Sequence, residues 1–569
     1  MSKDSMPHDD QSPGQFDRRR FLQLTAGTGG TLGTAVLAGC SGDGDQSGSP
    51  DESGSGSSSA DSGEKLPEYL YLNNPQDYNP ARHDTINLIG EQLTELGLDV
   101  SVQVFEWGTL VTKALSEHDF DLATWGRTLA DPGLRMPRFF HSDNTDPGNG
   151  NYTGYENAEL DPLLEEQGQL TDAGERADVL HEIQRIVTRD CPTNPINWMP
   201  FIMAYNNSQV SGWIDHPTKF NYNSFYNMTS IEVDNEDGEL RGAWPQTIGS
   251  LNVLSHQTEA QRIRTFEVLY DRLVRLDENF EPSAKLSLAT DWNRPSRDVM
   301  EFTLREHEWH DGEPLTAEDV AFTLDYMAEH EVPVYKERWE RVESTEVLSE
   351  NEVRITFSDP PGPVHAIFSS QLPIIPKHIW ETRDDPLNTA VSEPVGSGPF
   401  QVEYWDQGTE LSLQSNDAHW RPPKFNRRIW QIIPESSTSW QMLREGTLNY
   451  LPFSRIGSQL DNNRSAEDIS VVTMPGTGFW EVAINTRRSG LDDVAVRQAI
   501  VNSIPRTPIV EQIQYGLPEI ADNLVSPAFG QYYNPDVKQF EEGVDHGRTR
   551  LEEAGYTWDD DGFVHAPSN

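Results

Sequence analysis

The chain has 569 residues, 35% of them hydrophobic, with 92 Asp and Glu against 43 Lys and Arg and a net charge of −49. That length accommodates two or three lobes and a sizeable core. The charge excludes nucleic acid as a partner, because phosphate binding needs a basic surface, and 15 Trp with 17 Tyr exclude a disordered acidic chain.

Only nine of the basic residues are Lys. Carboxylates this dense repel one another in dilute buffer and are screened in high salt. The composition therefore predicts a folded protein adapted to strong brine, of the kind haloarchaea make. Two cysteines, Cys40 and Cys191, cannot build a disulfide framework.

In chain order, Asp17-Arg18-Arg19-Arg20-Phe21-Leu22-Gln23 comes first, followed by small and apolar residues from Leu24 to Ala38. That apolar run is too short to span a membrane. The pattern resembles a twin-arginine export signal with Arg18 and Arg19 as the pair. Leu37-Ala38-Gly39-Cys40 resembles a lipoprotein cleavage box, which implies that Cys40 becomes a lipid-bearing N-terminus. Residues 1–40 are thus expected to be a signal peptide. Residues 41–66, rich in Gly, Ser and Asp, are expected to be a flexible tether. Cys191, before Pro192, reads as a buried thiol.

From Pro67 the pattern is mixed α/β. "EYLYLNN", "DVSVQVFEW" and "FDLATWG" read as strands, and "TINLIGEQLTELGL" as a helix ending at Gly97. "ERADVLHEIQRIVTRD" is helical, and the rhythm predicts a layered α/β lobe. Beyond Asp234, "RTFEVLYDRLVRL" predicts a helix. Asp311-Gly312 predicts a turn, and Thr316 with Asp319 has capping-box spacing. "EPVGSGPFQVEYW" predicts a glycine-rich turn feeding a strand. "GFWEVAINT" reads as a strand, "VAVRQAIVNSIPRTPIVEQI" as helical turns around a Pro break, and "TRLEEAGYTWDDDGFVHAPSN" as a helix tail, a turn and a new strand.

"FTLREHEWHDGEPLTAEDVAFTL" resembles a landmark of the family 5 extracellular solute-binding proteins, the dipeptide and oligopeptide receptors of ABC importers. "PVGSGPF", "VRQAIVNSI" and "LEEAGYTWDDDG" are similar to three later landmarks, in the family's order. The segments that follow in the family stand here at the front of the chain, as "YLYLNN", "INLIGEQLTELGLDVSV", "FDLATWGRTLADP", "RFFHSDN", "ERADVLHEIQRIV" and "DCPTNPI".

The resemblance implies a two-lobed, periplasmic-binding-protein-like α/β fold of class II, the three-domain peptide-receptor type, with a hinge and an interlobe cleft, circularly permuted. Residues 67–230 would correspond to the family's C-terminal part, mostly lobe 2. Lobe 1 would hold 231–275 and 395–478, with a small appended domain at 276–394 and the rest of lobe 2 at 479–569. Permutation needs neighbouring, exposed original termini. It predicts that 563–569 lie beside 67–72.

The resemblance also implies binding without catalysis. The expected protein is a monomeric receptor that captures a solute, is anchored to the outer face of the cytoplasmic membrane through Cys40, and docks on ABC permease subunits. No cofactor or metal is expected. His307 and His310 in "HEWHDG" fall on a strand-turn-helix, and "DDDG" lacks the first and last ligands of a calcium loop.

"ATWGRTLADP" is the prime binding stretch. In peptide-binding relatives a Trp lines the pocket, matched by Trp125, and an Asp three residues later holds the peptide ammonium. Thr128 stands at that Asp, and Asp131 matches a different Asp, the one before Pro. Arg127 is a candidate for an anionic group. Phe479, Trp480 and Asn485, and Ser255 and His256, are further ligand-binding candidates. The solute is a peptide or, alternatively, an oligosaccharide or other non-peptide; a secreted sensor or hydrolase without transport is the rival class. Sequons at Asn151, Asn206, Asn227 and Asn463 permit glycosylation.

Overall fold

A computed structural model describes residues 63–568 except 129–130, 134, 214–224, 246, 256–265, 278–281, 359–361, 363–371, 452–457, 475 and 538–539. Arg18, Arg19, Cys40 and His256 lie outside the described residues. The strands of the two main sheets are, in chain order, β1 (Tyr69–Asn73), β2 (Val100–Val104), β3 (Leu122–Thr128), β4 (Thr193–Trp198), β5 (Phe201–Asn206), β6 (Glu239–Trp244), β7 (Phe400–Asp406), β8 (Glu410–Ser415), β9 (Arg427–Ile432), β10 (Tyr450–Leu451), β11 (Ile469–Met474) and β12 (Gly478–Ile484).

The first sheet has the order β2-β1-β3-β12-β4. β1 pairs in parallel with β2 and β3, while β12 runs antiparallel to β3 and β4. α1 (Pro80–Leu96) packs over β1 and β2. It begins earlier than expected because Asn79 caps it, accepting from the Arg82 N–H, and Pro80 fills the first turn. It ends, as expected, at Gly97 with φ 105°, a left-handed conformation that favours glycine. α2 (Ala173–Asp190) is capped by Asp172 and closes at Cys191, φ 54°. The Cys191 thiol is buried, and burial pushes its pKa up to about 12, leaving it protonated and inert.

The second sheet has the order β7-β8-β9-β6-β10-β5-β11. β5 therefore leaves the 67–230 segment to sit between β10 and β11, in the sheet built otherwise from 239–474. The chain passes between the sheets twice, from β4 to β5 at Met199–Pro200 and from β11 to β12 across 475–477. A hydrogen bond from the Met199 N–H to the Gly478 carbonyl (2.8 Å) ties one crossing to the other.

A third, antiparallel sheet comprises Ala289–Ser296, Val299–Leu304, Val342–Ser349 and Glu352–Phe357. α3 (Ala317–Glu329) packs on it and starts with the expected capping box of Thr316 and Asp319.

The helix expected over "RTFEVLYDRLVRL" does not form between Phe266 and Arg275. That stretch is turn-rich, and its backbone bonds go elsewhere. Gly398 N–H donates to the Leu269 carbonyl, Phe400 N–H to Val268, and Leu288 N–H to Arg272. Its apolar residues Phe266, Val268, Leu269, Tyr270, Leu273 and Val274 are all buried in one core with Met300, Phe302, Leu324 and Ile355 of the third sheet and α3. Helical propensity is a weak prior against such burial on every side.

α4 (Val494–Asn502) and α5 (Val544–Glu553) pack together, and α5 also contacts α1. After Gly555 a short hairpin pairs Thr557–Trp558 with Val564–His565. Residues 64–66 join that hairpin: Leu66 N–H donates to the Val564 carbonyl and Ala566 N–H to the Glu64 carbonyl, each at 2.9 Å. Asp559 holds the turn by accepting from the Asp561 and Phe563 N–H groups.

All four sequon asparagines, Asn151, Asn206, Asn227 and Asn463, are at most 5% exposed. The folded chain therefore buries all four side chains that the sequons would offer to a glycan. Among the described residues no helix is long and apolar enough to cross a membrane.

Gly398 lies so close to the 268–269 backbone that a Cβ there would stand 2.3 Å from the Val268 carbonyl oxygen. Gly398→Ala is expected to destabilise the fold by about 1–3 kcal/mol, the range for forced overpacking, measured by urea unfolding in molar KCl.

Candidate binding site at the sheet crossing

β3 and β12 pair with Thr128 opposite Gly478, Arg127 opposite Phe479 and Trp125 opposite Glu481. Strand alternation places Trp125, Arg127, Phe479 and Glu481 on one face, with Gly126 and Trp480 on the other. The first face carries a buried polar cluster near the start of β12.

Glu481 is its centre, 0% exposed. Its Oε1 accepts from Trp125 Nε1 (2.9 Å), Arg127 Nε (3.0 Å) and the Tyr152 hydroxyl (2.5 Å), and lies 2.9 Å from Arg127 Nη2. Its Oε2 accepts from the Thr193 hydroxyl on β4 (2.5 Å). Tyr152 in turn accepts from Trp125 Nε1 (2.7 Å) and Arg127 Nη2 (2.6 Å).

Burial alone would lower the Arg127 pKa. The Glu481 carboxylate and Tyr152 outweigh it, so the guanidinium is held more firmly charged than usual. Burial, against the opposing pull of Arg127, pushes the Tyr152 phenol well up, so it stays protonated. The Phe139 ring centre lies 4.0 Å from the Arg127 guanidinium carbon, a cation–π contact.

Of the residues singled out from sequence, the structure brings Trp125 and Arg127 together. Thr128 ends β3 beside them. Asp131 makes a bidentate ion pair with buried Arg176 (2.6 and 3.1 Å) and accepts from the Gly133 N–H, which fixes the loop after β3.

The Asn485 amide donates to the His118 and Phe120 carbonyls. Phe479 packs in the core against Trp198. Half-buried Trp480 points to the opposite face and packs beside a different core. Ser255 closes a turn on Asn252, whose amide is tied to the Pro386 and Thr389 carbonyls.

The central carboxylate itself was not picked out from the sequence. The available signal was a lone Glu within "GFWEVAI", an otherwise apolar strand buried on both sides. Tyr152 and Thr193 carried no such signal, because only folding brings them to Glu481.

A second buried cluster joins Asp271, His307 and His419. His419 Nε2 lies 3.3 Å and His307 Nε2 3.4 Å from Asp271 Oδ2, with ligand-capable atoms within 4.8 Å of one another. His419 Nδ1 accepts from the Arg421 N–H (2.9 Å), so its proton sits on Nε2. His307 Nε2 faces the Ser397 carbonyl (2.7 Å), which can only accept. The His307 Nε2 proton is thus directed at Ser397 and the His419 Nε2 proton at Asp271.

Burial opposes charge on His307, but the hydrogen bond and charge of Asp271 raise its pKa overall, despite Arg305 nearby. Burial disfavours the Asp271 carboxylate too, yet the two imidazoles hold its pKa far below the ordinary range.

The sequence profile of bacterial extracellular solute-binding proteins, family 5 middle, matches residues 284–568, half of the chain. The dipeptide-binding protein of Escherichia coli is 24% identical over 272 residues, 44% of this chain and 50% of that protein. The oligopeptide-binding protein AppA of Bacillus subtilis is 26% identical over 306 residues, 51% of this chain and 54% of that protein. The crystal structure of AppA with a nonapeptide superposes with a TM-score of 0.46 at 23% identity, covering 58% of this chain and 67% of AppA. The chain spans about half the length of these curated relatives.

Two outcomes are expected. Glu481→Ala leaves a buried guanidinium uncompensated and should cost about 3–5 kcal/mol, whereas Arg127→Met combined with Glu481→Leu recovers much of that loss, read from urea unfolding in molar KCl.

For His307, the raised folded pKa means its stabilisation is fully present below about pH 6.5 and is lost as pH rises through the folded value. His310, pushed by burial down to about 4, acts in the opposite sense between those values. The stability difference between the parent chain and His307→Gln should therefore shrink as pH rises from 6 to about 8.5; a constant difference contradicts the assignment.

The profile match, with the sheets and crossings described above, places this chain in family 5 of the bacterial extracellular solute-binding proteins.

Proposed function

We propose that the chain is an exported receptor that binds a small solute between its two main sheets and delivers it to an ABC permease, without catalysis. The observation that carries this reading is the pair of passages between the sheets, from β4 to β5 and from β11 to β12, tied by the Met199 N–H to the Gly478 carbonyl. Two sheets joined in this way can close by a hinge about a ligand. Trp125 and Arg127 stand at the root of those crossings. The relatives named above bind dipeptides or oligopeptides, which supports a peptide or related solute.

The family match ends near the chain terminus, at residue 568. The strands β1 to β4, from the other end of the chain, complete the sheet that contains β12. Residues 64–66 pair with 564–566. These observations support a circularly permuted family member whose original termini met near that hairpin. The motifs at Arg18-Arg19 and Cys40 support twin-arginine export and lipid anchoring of a monomer at the cell surface, and the acidic composition supports a haloarchaeal type.

A second reading, a non-peptide solute, is favoured by Thr128 at the position of the ammonium-binding Asp. The test is mass spectrometry of small molecules released from the protein purified in molar KCl. A stoichiometric peptide or other solute is expected. Absence of any released solute, together with no saturable binding of peptides or sugars, contradicts the receptor reading.

A further inference from the structure

Two features of the crossing site bear on what end of a ligand it holds, and the inference rests on the receptor reading above. The first is the state of Glu481. A carboxylate offers about four lone-pair sites. Trp125, Arg127 and Tyr152 crowd onto Oε1 and Thr193 donates to Oε2, and Arg127 neutralises the charge at 2.9 Å. Asp131 is likewise consumed by Arg176. The carboxylates beside the crossing are therefore already committed, and an ammonium brought here would meet the Arg127 charge.

The second feature is Arg127 itself. Its Nε and Nη2 are engaged, but Nη1 is buried without a hydrogen-bond partner, on a side chain 6% exposed. Guanidinium carries five N–H donors in a fixed plane. A buried, unmet donor of a charged group is unfavourable and calls for an acceptor. The Phe139 ring covers the guanidinium face, so an acceptor meets Nη1 edge-on, in the plane of the fork, as carboxylates do.

We propose that Arg127 Nη1 is the anchor for a carboxylate of the bound solute, so that this receptor holds an organic acid, such as the C-terminal end of a peptide, by its acid group and has no seat for a terminal ammonium. The polarity is the reverse of one built on a carboxylate at position 128.

The test uses the full chain in molar KCl and isothermal titration with three probes: N-acetyl-tetraalanine, tetraalanine amide and galacturonate. The acetylated peptide or the sugar acid should bind, and the amide should bind at least roughly 10-fold more weakly, the ratio expected for one charge-assisted hydrogen bond. Binding of the acetylated peptide marks a peptide acid as the source, and binding of galacturonate alone marks a sugar acid.

Arg127→Lys keeps a cation beside Glu481 but removes the extra in-plane donor, and should weaken the acid probe by about 10- to 100-fold. Amide binding as tight as or tighter than the acid probes overturns the proposal. So does binding by none of the three, or unchanged affinity in a folded Arg127→Lys chain. If that variant does not fold, the acid-to-amide ratio on the parent chain decides. A solute released from the protein that lacks an acid group would leave the receptor reading standing and sink this one.

Discussion

A carboxylate in the middle of a sheet is an expensive residue to bury, and the first sheet is arranged around one. Glu481 lies on β12, between β3 and β4. Desolvation there would be prohibitive without a counter-charge and donors to fill its lone pairs. It draws them from β3 through Trp125 and Arg127, from β4 through Thr193, and from the following loop through Tyr152. These segments come from opposite ends of the sequence, separated by as many as 356 positions. Because β12 begins and β4 ends where the chain passes between the sheets, the same bonds fix those strands beside the passages.

Elsewhere the protein spends its few cations in the same way. With 43 basic residues against 92 acidic, many Arg side chains are turned inward onto backbone carbonyls rather than displayed. Arg497 donates to the carbonyls of Asp190, Leu491 and Asp492, and Arg275 to those of Glu267 and Tyr270. Arg506 donates to Pro195 and Val501. The rigid, multi-donor guanidinium suits this role better than a lysine ammonium, which agrees with the scarcity of Lys. The excess carboxylates are left to a solvated surface that strong salt screens.

The close joins between distant segments rest on glycine and on short backbone ladders. Gly398 lets the 396–400 turn bond directly to Val268 and Leu269, which is why the segment from Phe266 to Arg275 gives up helical bonding for contacts with its neighbours. At the other pole, residues 64–66 complete the hairpin of residues 557–565. Each join exchanges local hydrogen bonds for non-local ones, and burial of apolar surface on both sides supplies the driving force.

Local chemistry settled a good deal by itself. Alternation placed β1, β2, β3 and β12; Gly97 ended α1; Thr316 and Asp319 capped α3, because periodicity and capping are properties of a few adjacent residues. The family landmarks were legible too. Partnership was not. That Asp131 belongs to Arg176, that Asn485 supports a loop, that β5 joins the second sheet, and that Glu481 gathers four side chains were decided only by tertiary structure. Such pairings depend on which strands become neighbours, and a residue's own sequence context carries no information about a partner hundreds of positions away.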